Sequence, residues 1–273
     1  MPNETNIARP LTLIGLGRSG TTLLEACFNR HPQIQTLNET SGLIFGVAAG
    51  AFESALPSKE RFSDPYAFAG AAIRTTLMAL EPSDRLFWFH KPGGLPKLIS
   101  WVWQDGRKTP TGFPVEWYWR VMKSAFPRSL FITSLRNPWD VVLSWERYIG
   151  WRQQDVWHDV ADVYDMLDTG FADIGALVFF EDLITQPEQT LRAILSLAGV
   201  PFDDAVLAGF AQPQALKPGD QPRAHHREDW DRCEPPPITE DGRERIMRVW
   251  RAAGRSFGSP PRFADLFPFD ASA

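Results

Sequence analysis

The segment Gly15-Leu16-Gly17-Arg18-Ser19-Gly20-Thr21-Thr22 constrains this chain more than any other. It follows an apolar run, Leu11 to Ile14, and precedes a helical pattern that begins near Thr21. A strand, a glycine turn and a helix start in that order place backbone N–H groups around an anion at a helix N-terminus. Gly15 and Gly20 have the spacing of a phosphate-binding loop. Thr21, however, stands where an NTP-hydrolysing loop carries its lysine, and the fixed positive charge sits inside the loop at Arg18. Such a pocket suits a multiply anionic group better than ATP with magnesium.

The rest of the chain reads as alternating strands and helices. Strands are expected at Leu11 to Gly15, Ile34 to Leu37, Leu86 to His90, Ser129 to Leu135 and Gly175 to Phe180. Helices are expected at Thr21 to Arg30, Thr40 to Ala51 behind an Asn38 cap, Tyr66 to Ala79, Val115 to Ala125, Pro138 to Tyr148, Pro187 to Ala198 and Ile238 to Ala253. In Arg136-Asn137-Pro138-Trp139-Asp140, Asn137 suits an N-cap, Pro138 a first helical turn, and Asp140 the positive end of the helix dipole. The alternation implies one α/β domain over 1–273: a P-loop-like three-layer sandwich, with a central, mainly parallel sheet and helices on both faces. The stretches 104–114 and 212–237 read as surface loops or lids.

Ligands of such sheets sit at the carboxyl ends of the strands. Three expected strand ends carry a cation there: Arg18, Lys91 and Arg136. The net charge of −5 argues against a broad nucleic-acid surface, so an anion must be held by local donors. Cys27 and Cys233, the two cysteines, form neither a zinc spacing nor a disulfide framework. The N-terminus lacks a signal-peptide layout and no apolar run is long enough for a membrane helix, which points to the cytoplasm.

Taken together, these blocks resemble the sulfotransferases that use 3′-phosphoadenosine 5′-phosphosulfate (PAPS). Gly17 to Leu23, with His31-Pro32 after it, is similar to the family's 5′-phosphosulfate loop. Leu135 to Ser144 is similar to its 3′-phosphate motif, and Phe180-Glu181-Asp182-Leu183 with Gly199-Val200-Pro201-Phe202 to a third block. The resemblance extends over residues 11–202 and is nearest the tyrosylprotein and bacterial carbohydrate-type branch.

The resemblance implies sulfuryl transfer to an acceptor hydroxyl on a sugar, phenol, peptide tyrosine or lipid alcohol, with PAPS as co-substrate and no metal. Arg18, Ser19, Gly20, Thr21 and Thr22 would hold the 5′-phosphosulfate, and Arg136 with Ser144 the 3′-phosphate. Arg147 is a further candidate there, because the branch places an arginine where this chain has Tyr148. Lys91 would neutralise the leaving phosphate. Glu39 is the preferred general base, and His90 its rival; strand alternation points His90 away from Lys91. Phe180 offers a wall for the adenine. Trp101, Trp103, Trp117 and Trp119 suggest an aromatic acceptor pocket, or simply core packing. His225, His226 and Arg223 read as a solvated loop near the nucleotide. Two other functions stay open. One is a P-loop kinase or NTPase, opposed by Thr21 and by Arg136 where a magnesium-binding aspartate is expected. The other is a non-catalytic nucleotide-binding protein.

Overall fold

The computed structural model describes residues 10–40, 43–44, 46–48, 50–51, 64–80, 87–91, 117–211 and 223–268. Five strands form one parallel sheet: β1 (Leu11–Gly15), β2 (Ile34–Glu39), β3 (Phe87–Lys91), β4 (Leu130–Leu135) and β5 (Ile174–Phe179). Their spatial order is β2-β3-β1-β4-β5. Every pairing is parallel, so all five carboxyl ends lie along one edge.

The helices follow from apolar period and caps: α1 (Thr21–Phe28), α2 (Pro65–Leu80), α3 (Trp117–Ala125), α4 (Pro138–Ile149), α5 (Gln153–Gly170), α6 (Phe180–Thr185), α7 (Pro187–Ala198) and α8 (Glu240–Ala252). Strand alternation divides the core into two layers. Leu11, Leu13, Ile132 and Val178 face one side, where α1 and α7 supply Leu24, Phe28, Leu191 and Leu195. Ile14, Phe131 and Leu135 face the other, against Trp119, Trp139, Trp157 and Trp250. This is the α/β sandwich expected from the alternation of elements.

Three details depart from the expectation. Asn38 is not a helix cap: β2 runs on through Asn38 and Glu39, and a helical hydrogen bond beyond it joins Ile44 N–H to the Thr40 carbonyl. The eighteen-residue α5 went unanticipated, because Gln153 to Gly170 carries many acidic residues between its apolar ones; it buries Val156, Trp157, Val160 and Tyr164. The described part of 212–237 is anchored to the rest of the protein at a few buried points. Arg227–Arg232 forms a 3₁₀ helix, and His226 and Cys233 are each 4% exposed. The stretch 104–114, with Trp101 and Trp103, lies outside the described residues. Trp119 is a core residue, donating its indole N–H to the Met166 carbonyl at 2.9 Å.

Candidate active site

The loop after β1 owes its shape to two residues in the left-handed region, Arg18 at φ 71° and Gly20 at φ 89°. For a non-glycine residue such a φ is costly, and it persists only where neighbours enforce it. They do so here. The Arg136 guanidinium donates to the Arg18 carbonyl at 2.9 Å. Ser134 Oγ donates to the Ser19 carbonyl. Ser19 turns both its amide and its hydroxyl onto the Leu16 carbonyl, at 3.2 and 2.6 Å. Ser19 was expected to face an anion; its buried hydroxyl instead braces the loop.

Beyond the loop, α1 begins with Gly20 as N-cap and no side-chain cap. Its first i to i−4 bond runs from Leu24 N–H to the Gly20 carbonyl at 3.0 Å. Thr21, Thr22 and Leu23 thus form the first turn of the helix, at the end where the dipole favours an anion. A Cβ on Gly17 would stand 2.3 Å from Cζ2 of Trp145, and one on Gly20 2.6 Å from Cδ2 of Phe180. Both glycines are thus required by close aromatic neighbours.

The second cationic element comes from the end of β4. Asn137 caps α4 as its sequence predicts, accepting from Trp139 N–H at 3.0 Å. Arg136 is 4% exposed, with its guanidinium 4.2 Å from the Phe180 ring centroid. It bridges two backbone carbonyls, Arg18 at 2.9 Å and Arg223 at 2.8 Å. Two turns along α4, Ser144 Oγ accepts from Arg18 Nε at 3.1 Å. One further turn brings the Tyr148 ring under the Arg18 guanidinium, at 4.2 Å. Arg18, Arg136 and Ser144 therefore meet in one place. Arg147 turns elsewhere, to Asp229 and His226. Phe180, expected as an adenine wall, has the Arg136 guanidinium against one face of its ring.

On the other side of β1 the edge carries Lys91 and Glu39. They are register partners, the last paired residues of β3 and β2. His90 lies one step further in, paired with Thr12 and Leu37. The sheet order thus sets Glu39, Lys91, the glycine loop and Arg136 side by side along one edge.

The residues 223–230, read from sequence as a solvated loop, are bound tightly to α4. Asp140 is fully buried and accepts from His225 Nδ1 at 2.7 Å, His226 N–H at 2.9 Å and Trp230 Nε1 at 3.0 Å. Burial, then the Arg136 charge, push the His226 imidazole down to about 4. Burial also raises Glu181, which the Arg136 charge partly offsets. The composition of this segment, rich in proline and charge, hid its packing; the one usable signal was Trp230, a large apolar side chain among charged neighbours.

A parallel sheet with an anion-shaped loop after β1 and a buried arginine after β4 defines an α/β protein of the P-loop-like sandwich class. A family model described as "Sulfotransferase family" matches residues 10–204, and the chain belongs to that family. Two solved structures share the fold. One is the sulfotransferase domain from the Synechococcus PCC 7002 olefin synthase, 17% identical, covering 92% of this chain and 96% of that one, with a TM-score of 0.55. The other is the sulfotransferase domain from the curacin biosynthetic pathway, 15% identical, covering 92% and 99%, with a TM-score of 0.56. No curated protein sequence matches the chain. Among the described residues no helix is long and apolar enough to cross a membrane.

Proposed function

We propose that this protein transfers the sulfuryl group of PAPS to an acceptor hydroxyl. The observation that carries the reading is the convergence of Arg18, Ser144 and Arg136 beside the uncapped N-terminus of α1. One group of donors suits a phosphosulfate and the neighbouring group suits a second phosphate, as a doubly phosphorylated nucleotide requires.

In this reading the amides of Gly20, Thr21 and Thr22 and the Arg18 guanidinium hold the 5′-phosphosulfate, and Ser19 shapes the loop around it. Ser144 and Arg136 hold the 3′-phosphate. The planar guanidinium of Arg136 carries its donors in a fork whose geometry suits a phosphate. The acceptor oxygen attacks sulfur in line. Its proton passes to the Glu39 carboxylate, the bond from sulfur to the bridging oxygen breaks, and adenosine 3′,5′-bisphosphate leaves. Negative charge grows on that bridging oxygen, where Lys91 and Arg18 stabilise it. Fixed donors of this kind are worth about 3 kcal/mol each in the transition state.

Glu39 is preferred over His90 because it lies at the strand terminus, level with Lys91, whereas His90 lies one step inside the sheet. The test is Glu39→Gln. Removing a general base lowers kcat by roughly 10²–10⁴. Binding of adenosine 3′,5′-bisphosphate, read calorimetrically, stays at the wild-type value. Near-normal turnover in this variant would refute the assignment.

A further inference from the structure

Asp140 stands in the first turn of α4, where an aspartate complements the helix dipole even from an exposed position. Here it is fully buried, and both carboxylate oxygens are taken by a segment 85 to 90 residues further along the chain. Oδ2 accepts from His225 Nδ1 at 2.7 Å. Oδ1 accepts from His226 N–H at 2.9 Å and from Trp230 Nε1 at 3.0 Å. One carboxylate thus pins both ends of the span 225–230.

The same segment is held at a second point. Arg136, next to the Asn137 cap and one helical turn before Asp140, donates from Nη2 to the Arg223 carbonyl at 2.8 Å. Its Nη1 donates to the Arg18 carbonyl at 2.9 Å, and the Phe180 ring centroid lies 4.2 Å from the guanidinium. The Arg223 side chain is paired with Glu228. Two carbonyls therefore align the Arg136 guanidinium, and one of them belongs to a segment that Asp140 ties down two residues later.

Charge makes this arrangement demanding. A buried carboxylate is costly unless its oxygens are hydrogen-bonded, and complementing a helix dipole requires no burial. Asp140 meets that condition only while 223–230 stays in place. The buried guanidinium of Arg136 likewise depends on fixed acceptors. Two further ties from α4, Arg147 to Asp229 and Glu146 to Arg232, join partly exposed side chains, and pairs of that kind contribute little. Both also meet the segment at 229 or later, away from Arg223. The buried carboxylate is what holds the Arg223 end.

We infer that Asp140 is a positioning residue for the nucleotide's 3′-phosphate. It acts through Arg136 rather than on the ligand: it fixes 223–230, and the Arg223 carbonyl then sets the plane of the Arg136 fork. The inference rests on the sulfotransferase reading above and adds to it a residue that governs discrimination between nucleotides with and without a 3′-phosphate. The bond from Arg136 to the Arg18 carbonyl does not involve the segment, so the loop that holds the 5′ side is left in place when the segment loosens.

The test compares wild type, Asp140→Asn and Trp230→Phe, each titrated calorimetrically with adenosine 3′,5′-bisphosphate and with adenosine 5′-phosphate well below the melting temperature. Asp140→Asn should weaken bisphosphate binding about 10-fold, the size of one hydrogen bond, and change 5′-phosphate binding by less than about 2-fold. Trp230→Phe keeps a ring in place and removes one of the three donors; it should lose about 3-fold for the bisphosphate, with the 5′-phosphate again unaffected. The ratio of the two affinities is the readout, because lost stability alone moves neither affinity at that temperature and general damage to the site lowers both. A wild-type ratio in Asp140→Asn, or an equal fall for both ligands, overturns the inference. Should that variant fail to fold, a wild-type ratio in Trp230→Phe overturns it instead. Failure of the underlying reading is separate: wild type then binds the bisphosphate no more tightly than the 5′-phosphate, which refutes the 3′-phosphate site and the role of Asp140 with it.

Discussion

Arg136 donates to the backbone carbonyl of Arg18 at 2.9 Å, so a buried guanidinium from the end of β4 holds the strained residue of the loop after β1. The two arginines are thus one device. The first sets the backbone of the second, and the side chain of the second then reaches Ser144 on the helix that follows the first. A hydrogen bond to a charged group is worth about 1.5–3 kcal/mol.

Arg136→Lys keeps a charge but cannot span the carbonyls of Arg18 and Arg223. We expect affinity for adenosine 3′,5′-bisphosphate to fall about 10- to 100-fold, the equivalent of one or two charged hydrogen bonds. Affinity for adenosine 5′-phosphosulfate, which lacks the 3′-phosphate, should fall less. Calorimetric titration of both ligands checks this.

Gly20→Ala places a methyl group 2.6 Å from Phe180 Cδ2 at a φ of 89°. The left-handed backbone alone costs about 1–2 kcal/mol for a residue with a Cβ. The clash adds to it. The midpoint of urea unfolding should drop by more than that backbone term predicts, and Gly20→Ala with Phe180→Leu should recover the excess only.

Asp140→Asn leaves three donors facing a neutral group at a fully buried site. A loss of about 3 kcal/mol in stability is expected. The segment 223–232 should become susceptible to trypsin, at Arg223, Arg227 or Arg232, before the rest of the chain unfolds. Asp155→Asn, at a surface pair 53% exposed on the aspartate side, should change stability by less than about 1 kcal/mol.

His226 gives the fold a pH dependence of known sign. Its folded value of about 4 lies below the ordinary 6.5, so the unfolded chain binds the proton more readily. The stability this creates is complete above about pH 6.5 and is lost as pH falls toward about 4. The slope in that window is at most about 1.4 kcal/mol per pH unit. Burial raises Asp162, Asp165 and Glu181, which acts in the opposite direction in acid. The difference between wild type and His226→Gln, followed by thermal melting from pH 7.5 down to 5, isolates the histidine and should shrink as the pH falls.

Much of the sheet was legible because its strands are short apolar runs ending in glycine or a cation, as at Gly15, Lys91 and Arg136. The Asn137 cap was legible because capping is local chemistry. Glu39 was misplaced by the same local logic: Asn38 resembles a cap, but pairing with β3 carries the strand past it. The contacts of Asp140 with His225, His226 and Trp230 were hidden, since they join positions far apart in sequence and no local pattern records them. The Trp145–Trp151 stack was likewise invisible, because the end of α4 separates the two rings.

The central place of β1 in the sheet has a consequence for synthesis. Its hydrogen-bonding neighbours β3 and β4 both come later in the chain, and Thr133 and Ser134 of β4 hold the carbonyls of Ile14 and Ser19. The earliest functional segment to leave the ribosome must therefore wait, unshaped, for strands still being translated. A nascent chain truncated before β4 should carry the whole glycine motif and have no affinity for nucleotide.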